Sequence, residues 1–191
     1  MHRRTFLAAL AATGAAGIAH ANDPSRFLLA QAIPAQRRSP DVIFVPTPNE
    51  VVQKMLELAK VTPNDVVYDL GCGDGRIVIT AAQKYGARAV GVDIDPERIK
   101  EATEKVRAAG VADRVTLIRG DIFDPSIKIQ EASVVTLYLL QTLNEKLAPR
   151  LKSELKSGSR IVSHAFTMGN GWPAESSEQV EGTMIHLWRI P

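Results

Sequence analysis

Two kinds of apolar pattern alternate along most of the chain. Short unbroken apolar runs, such as VVY at 66–68 and SVVTLY at 133–138, are typical of strands buried on both faces. Between such runs, apolar residues recur at three- and four-residue spacing over 48–60, 77–85 and 96–109, which indicates helices with one buried face. Because the two patterns alternate, we predict helices packed on both faces of a mostly parallel sheet.

Seven strands are predicted. They cover residues 66–69, 88–94, 114–119, 133–138, 160–166, 176–181 and 183–190. The last two flank Gly182 as a hairpin, so one strand should run antiparallel to the others. The expected fold class is therefore α/β, a Rossmann-like seven-stranded sheet with one antiparallel strand inside a three-layer sandwich.

Polar residues and prolines predict where two of the helices begin. Thr47, Pro48 and Glu50 are expected to supply a cap, a first helical residue and a capping-box acid for the first helix. Asn144 is predicted to cap the last helix, and Pro149 to break or restart it. A cap alone would be a sufficient reason for a threonine at position 47.

A loop rich in glycine follows the first strand. Asp69 ends the strand, and Gly71, Gly73 and Gly75 then alternate with other residues. A dinucleotide-binding loop needs its third glycine one position later, where Arg76 stands, so an NAD site is disfavoured. The acid would also repel a pyrophosphate, whereas it could attract a cationic aminoacyl group. In an open parallel sheet, such a loop is where a ligand binds.

Carboxylates follow two further strands. Asp93 lies near the end of the second strand, where an acid can accept hydrogen bonds from the two vicinal hydroxyls of a ribose. Asp95 is better placed to cap the next helix, whose first residue is Pro96. Asp121 follows the third strand, where it either contacts a ligand or forms an aspartate turn. With Asp69, three neighbouring strand ends carry an acid that one ligand could contact.

These residues resemble the class I S-adenosylmethionine (SAM) dependent methyltransferases. Motif I of that family has the form acid-x-G-x-G-x-G and wraps the methionine end of SAM. The segment GDIF at 120–123 is similar to the family segment in which an aspartate binds the adenine amino group and the next residue flanks the ring. The resemblance implies SAM as the cofactor, with the cofactor-binding residues Asp69, Gly71, Gly73, Asp93, Asp121 and Ile122.

The pattern is most similar to the non-SET lysine methyltransferases, the histone-lysine enzymes and the lysine methyltransferase of the mitochondrial ATP synthase c-subunit. In those enzymes an aromatic-x-x-Thr stretch ahead of motif I borders the SAM pocket, and the matching residues here are FVPT at 44–47. Thr47 is thus a helix cap alone or a cap that also forms a pocket wall. Ser163 and Phe166 resemble the corresponding strand end of the histone-lysine enzymes. Over residues 41–191 the resemblance implies N-methylation of a protein lysine.

The exit of the fourth strand departs from that family. Motif IV carries an asparagine or aspartate followed by prolines in several amine methyltransferases, whereas this chain has LLQTLN at 139–144. Tyr138 is the candidate catalytic residue, since its hydroxyl could orient an acceptor nitrogen, but it could equally be a packing residue. His164 is expected to pack in its strand, with a general base as the alternative, and no metal-ligand spacing surrounds it. A small-molecule acceptor, or a SAM-binding module without turnover, is the alternative.

Composition agrees with one globular domain. The chain has 191 residues, of which 45% are hydrophobic and 23% charged. The formal net charge of +2 disappears without residues 1–21, which contain Arg3 and Arg4 and no acid, so we expect no nucleic-acid partner. The one cysteine, Cys72, cannot form an intramolecular disulfide and occupies a glycine turn that suits a small side chain.

The first residues predict an export signal. Two arginines precede a mildly apolar run over 6–19, and Ala19-His20-Ala21 has the A-x-A form of a cleavage site. The arginine pair followed by phenylalanine and leucine resembles the twin-arginine signal, which implies the twin-arginine export machinery as a partner. The run is too short and weakly apolar for a stable membrane span.

The chain is thus predicted to consist of a signal peptide at 1–21, a linker at 22–40 and a methyltransferase domain at 41–191. The signal implies a periplasmic or exported location. Because SAM is made in the cytoplasm, a cytoplasmic location is the alternative.

Overall fold

Helices and strands alternate through residues 44–191, the part of the chain that the computed structural model describes. The helices are α1 (Asn49–Leu58), α2 (Arg76–Tyr85), α3 (Pro96–Ala108) and α4 (Gln141–Glu154). The strands are β1 (Val66–Leu70), β2 (Arg88–Asp93), β3 (Val115–Arg119), β4 (Val134–Leu137), β5 (Arg160–His164), β6 (Ser176–Val180) and β7 (Thr183–Arg189). Each predicted strand is therefore present, with ends that differ from the prediction by at most two residues.

The strands form a seven-stranded sheet in the order β3-β2-β1-β4-β5-β7-β6. β1 to β5 are parallel, whereas β7 runs antiparallel to both β5 and β6. The predicted mostly parallel sheet with one antiparallel strand is confirmed. The chain order reverses between β1 and β4, and ligand crevices form at such a switch point.

Alternate side chains of the central strands face two different helical layers. Val67 and Val134 belong to a buried cluster with residues of α1, α2 and α3. Tyr68 and Val135 pack on the opposite face, with α4 and the segment 122–132. The apolar runs that predicted strands buried on both faces therefore lie in the middle of a three-layer sandwich.

Two of the predicted helix caps are wrong. α1 follows Pro48 and no side chain caps it, because the Thr47 hydroxyl lies 3.3 Å from His164 Nδ1 instead. Asn144 lies inside α4, fully buried, and its Nδ2 donates to the Phe166 carbonyl at 3.2 Å. In both cases a partner distant in sequence binds the side chain that local pattern assigned to the helix end.

The predicted break at Pro149 is also wrong, because α4 continues through it. A proline removes one backbone donor, but the buried Leu147 and Leu151 hold the helix against the sheet on either side of it. Asp95 does cap α3 as predicted, since its Oδ1 accepts the Glu97 amide N–H at 2.8 Å.

The predicted signal peptide (1–21) and linker (22–40) lie outside the described residues, so both stay predictions. Within 44–191, no helix is long and apolar enough to cross a membrane. The same residues contain no group of three or more His, Cys, Asp and Glu side chains that could hold a metal ion.

Candidate functional site

A cleft opens beyond the carboxyl ends of β1 to β4. Its position at the switch point is that of a ligand site in an open α/β sheet. The predicted site residues that line it are Thr47, Asp69, Gly71, Asp93, Asp121, Ile122 and Tyr138. Gly73 does not line the cleft, but its amide N–H donates to Asp93 Oδ2 at 2.8 Å. The structure therefore brings all the predicted site residues to one place.

The loop after β1 requires glycine at two positions. Gly71 and Gly73 have φ angles of 92° and 52°, in the left-handed region that favours glycine. A Cβ atom at Gly73 would lie 2.2 Å from the Phe44 ring, so no side chain fits unless that ring moves. The amide N–H groups of Gly71 and Cys72 donate to the Val92 carbonyl at 2.8 and 2.9 Å. These bonds hold the loop against the end of β2.

Asp69 is a buried carboxylate with little support from the protein. The residue is only 3% exposed, and its Oδ1 accepts a hydrogen bond from Thr136 Oγ1 at 2.8 Å. Burial raises the pKa of Asp69 to about 7, and the nearby charges of Asp93 and Asp74 add to the rise. Within residues 44–191, no Lys, Arg or His side chain forms an ion pair with the Asp69 carboxylate at 4.0 Å or less. A positively charged ligand in the cleft would favour its ionised form.

Asp93 connects the glycine loop to the end of β2. Its Oδ2 accepts the Gly73 amide N–H, and its Oδ1 accepts the Asp95 amide N–H at 2.9 Å. Burial raises the pKa of Asp93, although these backbone hydrogen bonds act in the opposite direction. Each carboxylate oxygen can accept a second hydrogen bond, so Asp93 can still bind two hydroxyl groups of a ligand.

Asp121 forms an aspartate turn at the next strand end. Its Oδ1 accepts the Phe123 amide N–H at 2.9 Å, and Ile122 and Phe123 both line the cleft beside it. The sequence left open whether Asp121 forms a turn or faces a ligand. The side chain both forms the turn and lines the cleft.

A charged cluster that the sequence analysis did not identify supports the other side of the loop. Asp74 pairs with Arg76 at 2.8 Å and with Lys105 at 2.6 Å. Burial tends to raise the pKa of Asp74, but hydrogen bonds from these two cations lower it to about 2. Arg76 Nη1 also donates to the Thr47 carbonyl at 2.8 Å. The cluster thus ties the residues before α1 to the glycine loop.

The residues before α1 form one wall of the cleft. Phe44, Val45 and Thr47 line it, and the Arg98 guanidinium lies 4.9 Å from the centroid of the Phe44 ring. The Phe44 ring also packs against Gly73. The FVPT stretch therefore borders the cleft as the family resemblance implied, although its threonine is not a helix cap.

Tyr138 forms part of a second wall, together with Leu139 and Leu143. The Tyr138 ring stacks on His164, with 3.8 Å between ring centroids and 30° between ring planes. His164 is buried and does not line the cleft, and burial lowers the pKa of its imidazole. The expectation that His164 packs in its strand agrees with this position.

Aspartates outnumber cations around the cleft. The charged residues that line it are Asp69, Asp74, Asp93, Asp95, Asp121, Arg76 and Arg98. Since Arg76 is engaged by Asp74, the remaining lining is strongly acidic. Such a cleft attracts a cationic ligand and repels a polyphosphate.

The chain matches the family described as the ANTKMT methyltransferase domain over residues 69–176. A protein-lysine N-methyltransferase of Saccharolobus islandicus (strain REY15A) is 50% identical over 149 residues, which cover 77% of this chain and 91% of the relative. The adenine nucleotide translocase lysine N-methyltransferase of Mus musculus is 29% identical over 160 residues, covering 80% of this chain and 69% of the relative.

One solved structure is similar in both sequence and fold. It is the crystal structure of an RNA methyltransferase from Salinibacter ruber in complex with S-adenosyl-L-homocysteine. The TM-score is 0.74 and the sequence identity 51%, over 77% of this chain and 94% of the other.

Proposed function

Since this chain belongs to the ANTKMT methyltransferase family, and is thus a SAM-dependent methyltransferase, we propose that its acceptor is the side-chain amine of a lysine in a protein. The observation that carries the proposal is the 50% identity to a protein-lysine N-methyltransferase over 91% of that relative's length. The Mus musculus relative is also named for lysine methylation of a protein.

The residues of the cleft fit SAM. When it is bound, SAM supplies an electrophilic methyl group on a positively charged sulfur. The acidic lining suits that charge, and Asp69 is a buried carboxylate that lacks a cation within the described residues. The left-handed glycines turn the loop at the edge of the cleft, where Gly71 and Cys72 line it. A pyrophosphate cofactor would meet repulsion at the same place.

We assign the cofactor contacts by the position of each residue in the cleft. Asp69 and the loop of Gly71 and Gly73 hold the methionine end. Asp93, at the next strand end, accepts hydrogen bonds from the ribose hydroxyls. Asp121 and Ile122 hold the adenine, and Thr47 forms the wall beside the glycine loop with the rest of the FVPT stretch.

Tyr138 and its apolar neighbours form the acceptor side in this proposal. A lysine must lose its proton before its nitrogen can attack, and the apolar Leu139 and Leu143 favour the neutral amine by excluding water. The Tyr138 hydroxyl can accept an N–H of that amine and orient its lone pair. Tyr138 therefore remains the candidate catalytic residue.

The transfer is an in-line displacement. The lysine lone pair forms the N–C bond as the C–S bond breaks, and the C–S electron pair remains on sulfur. The methylated nitrogen then releases its surplus proton to solvent. The protein contributes mainly by aligning nitrogen, methyl carbon and sulfur, which can supply a large part of the rate enhancement.

The test is methyl transfer from tritiated SAM to an array of lysine-containing peptides, with total RNA as a separate acceptor. We expect label on peptides, located on lysine by mass spectrometry. At a SAM concentration near the wild-type Kd, Asp69→Asn should reduce labelling at least tenfold, while the matched surface change Asp113→Asn should not, because the Asp113 side chain is 66% exposed. Label on RNA alone would overturn the proposal.

RNA is included because the Salinibacter ruber protein is titled an RNA methyltransferase. Residues 44–191 contain 18 Lys and Arg against 19 Asp and Glu, and the cleft itself is acidic. Nucleic-acid binding depends on neutralising phosphates with an excess of cations. The charge therefore favours a protein acceptor over RNA.

We further propose that residues 1–21 direct the folded protein to the twin-arginine export machinery. The support is the pair Arg3 and Arg4, the apolar run and the A-x-A sequence that follow it. Cell fractionation should place the wild type outside the cytoplasm and an Arg3→Lys, Arg4→Lys variant inside it. Cytoplasmic residence of both proteins would remove the export proposal.

A further inference from the structure

His164 lies directly behind the wall of the cleft. It is 4% exposed and does not line the cleft, but it contacts two residues that do. Its ring stacks on the Tyr138 ring, and its Nδ1 lies 3.3 Å from Thr47 Oγ1. One buried imidazole therefore joins the wall assigned to the acceptor with the wall assigned to the cofactor.

The backbone that carries His164 is strained. Ala165, the next residue, has a φ of 65°, in the left-handed region that a residue with a Cβ rarely adopts. The Phe166 amide N–H donates to the His164 carbonyl at 2.8 Å and closes a three-residue turn around Ala165. Such strain persists only where neighbouring structure imposes it.

Neighbouring elements impose this turn from two sides. The Ala165 amide N–H donates to the Met184 carbonyl of β7 at 2.7 Å. From α4, the fully buried Asn144 donates through Nδ2 to Ser163 Oγ and to the Phe166 carbonyl, both at 3.2 Å. The turn brings the Phe166 ring to 6.4 Å from the Tyr138 ring, at 26°. β5 thus ends in a fixed aromatic group against Tyr138.

We propose that His164 is a positioning residue, whose stacked ring holds Tyr138 in the orientation that receives the acceptor lysine. The inference rests on the proposed lysine transfer and adds a residue that the cleft lining does not contain. Burial lowers the pKa of His164, so its ring is neutral at neutral pH and does not repel the lysine or the sulfonium. A flat neutral ring is also what stacking on Tyr138 requires.

The test compares His164→Ala, which removes the ring, with His164→Phe, which keeps a flat ring in the stack. With the best-labelled array peptide as acceptor, we expect His164→Ala to raise the acceptor KM about tenfold, since small misplacements near the reaction have large effects. The Kd for S-adenosyl-L-homocysteine should change less than about threefold, because on the cofactor side His164→Ala removes only the contact with the Thr47 hydroxyl. His164→Phe should restore the acceptor KM to within about threefold of wild type.

The described residues offer a matched control in their second histidine. His186 lies on β7, where its Nδ1 is 2.7 Å from Ser177 Oγ, and it does not line the cleft. His186→Ala should leave both the acceptor KM and the Kd unchanged. Thermal melting of all three variants separates a loss of folding from a loss of positioning.

A double mutant shows whether the effect passes through the tyrosine. In a Tyr138→Leu background, His164→Ala should change the acceptor KM by less than about twofold, because the ring it holds is gone. A full tenfold effect in that background would overturn the inference. So would an unchanged acceptor KM in folded His164→Ala, or equal losses in His164→Ala and His164→Phe.

Failure of this inference is distinct from failure of the proposed function. If the wild type labels no lysine, the proposed function is wrong and the inference falls with it. If the wild type labels lysine while His164→Ala behaves like the His186→Ala control, only the inference is wrong.

Discussion

The two ends of the central strand treat a buried carboxylate in opposite ways. Asp65 precedes β1 and accepts hydrogen bonds from the Thr62 amide at 2.8 Å and from Ser133 Oγ at 2.6 Å, and it pairs with Arg160. Although burial opposes it, these partners lower the pKa of Asp65. At the other end Asp69 is more deeply buried and has one hydroxyl donor, and its pKa is raised to about 7.

We infer from this difference that Asp65 stabilises the fold and that Asp69 binds the ligand. A buried charge is tolerated when the protein itself pairs and hydrogen-bonds it, as at Asp65. Where the protein leaves the charge without a cation, the site is completed by something that arrives from outside. The protein's own side chains therefore complete the amino end of the sheet, and we infer that the cofactor completes the carboxyl end.

The largest expected effect is on stability at the amino end. Asp65→Ala removes the carboxylate and leaves the half-buried Arg160 without its partner, so the free energy of unfolding should fall by about 3–5 kcal/mol. Urea unfolding followed by circular dichroism measures this loss. The SAM affinity of the folded fraction should be unchanged. A loss below about 1 kcal/mol would show that the network is not what holds this end.

At the carboxyl end, the matching change should weaken binding without lowering stability. On the proposed assignment, Asp69→Asn removes the charge that faces the sulfonium ligand, and we expect the Kd for SAM to rise about 30- to 100-fold. The folded-state pKa of Asp69 lies above its unfolded value of 3.8, so its contribution to stability is present below that value and lost as pH rises through about 7. At pH 8 the ligand-free Asn variant should thus melt no earlier than wild type.

Calorimetric titration and thermal melting in the absence of ligand test both parts of this expectation. A lower melting temperature for Asp69→Asn than for wild type would show that Asp69, like Asp65, stabilises the fold, and the contrast between the two ends would be wrong.

The pH dependence of cofactor affinity sharpens the contrast. If the ionised form of Asp69 binds the cation as we propose, its pKa of about 7 means that affinity for SAM should rise as pH rises. Between pH 6.0 and 7.5 we expect the Kd to fall about eightfold, the ratio of ionised fractions for that pKa. The same titration with Asp69→Asn should be nearly flat. A wild-type Kd that is constant over this range would contradict the raised pKa.

The smallest effects concern one hydroxyl at each end. Thr136→Val removes the donor to Asp69, so the pKa of that carboxyl should rise further and SAM affinity at pH 7 should fall about threefold. Ser133→Ala removes a donor to Asp65 and should cost about 1 kcal/mol of stability with no change in affinity. A loss of SAM affinity in Ser133→Ala, or a loss of stability without a loss of affinity in Thr136→Val, would contradict the contrast between the two ends.

The fold was predictable because its evidence is local. Apolar runs such as SVVTLY and the periodic helices identify the layers directly, and the glycines and strand-end acids identify the edge at which a ligand binds. Asp93 and Asp121 could be placed because parallel strands bring their carboxyl ends to one edge, whatever lies between them in sequence.

What could not be predicted depends on side chains that meet across the sheet. Thr47 and Asn144 satisfy the local rules for helix caps, but their partners His164 and Phe166 lie in β5 and the turn after it, and pattern does not reveal such contacts. Thr136 was detectable in part, since a hydroxyl between Val135 and Leu137 in a buried strand has to find a partner. Its partner, Asp69, was not.

The reactivity of Cys72 can report the motion of the loop between β1 and α2. The sulfur packs against Gly91, where an added Cβ would come within 2.8 Å of it, and burial raises the pKa of the thiol well above its ordinary value. A thiol that is buried and protonated reacts with alkylating reagents only while its surroundings are open. Since the chain has one cysteine, the rate of alkylation reports how often the loop between β1 and α2 opens. A ligand over which the loop closes should slow the alkylation of Cys72, so cofactor-site ligands can be screened without knowing the methyl acceptor.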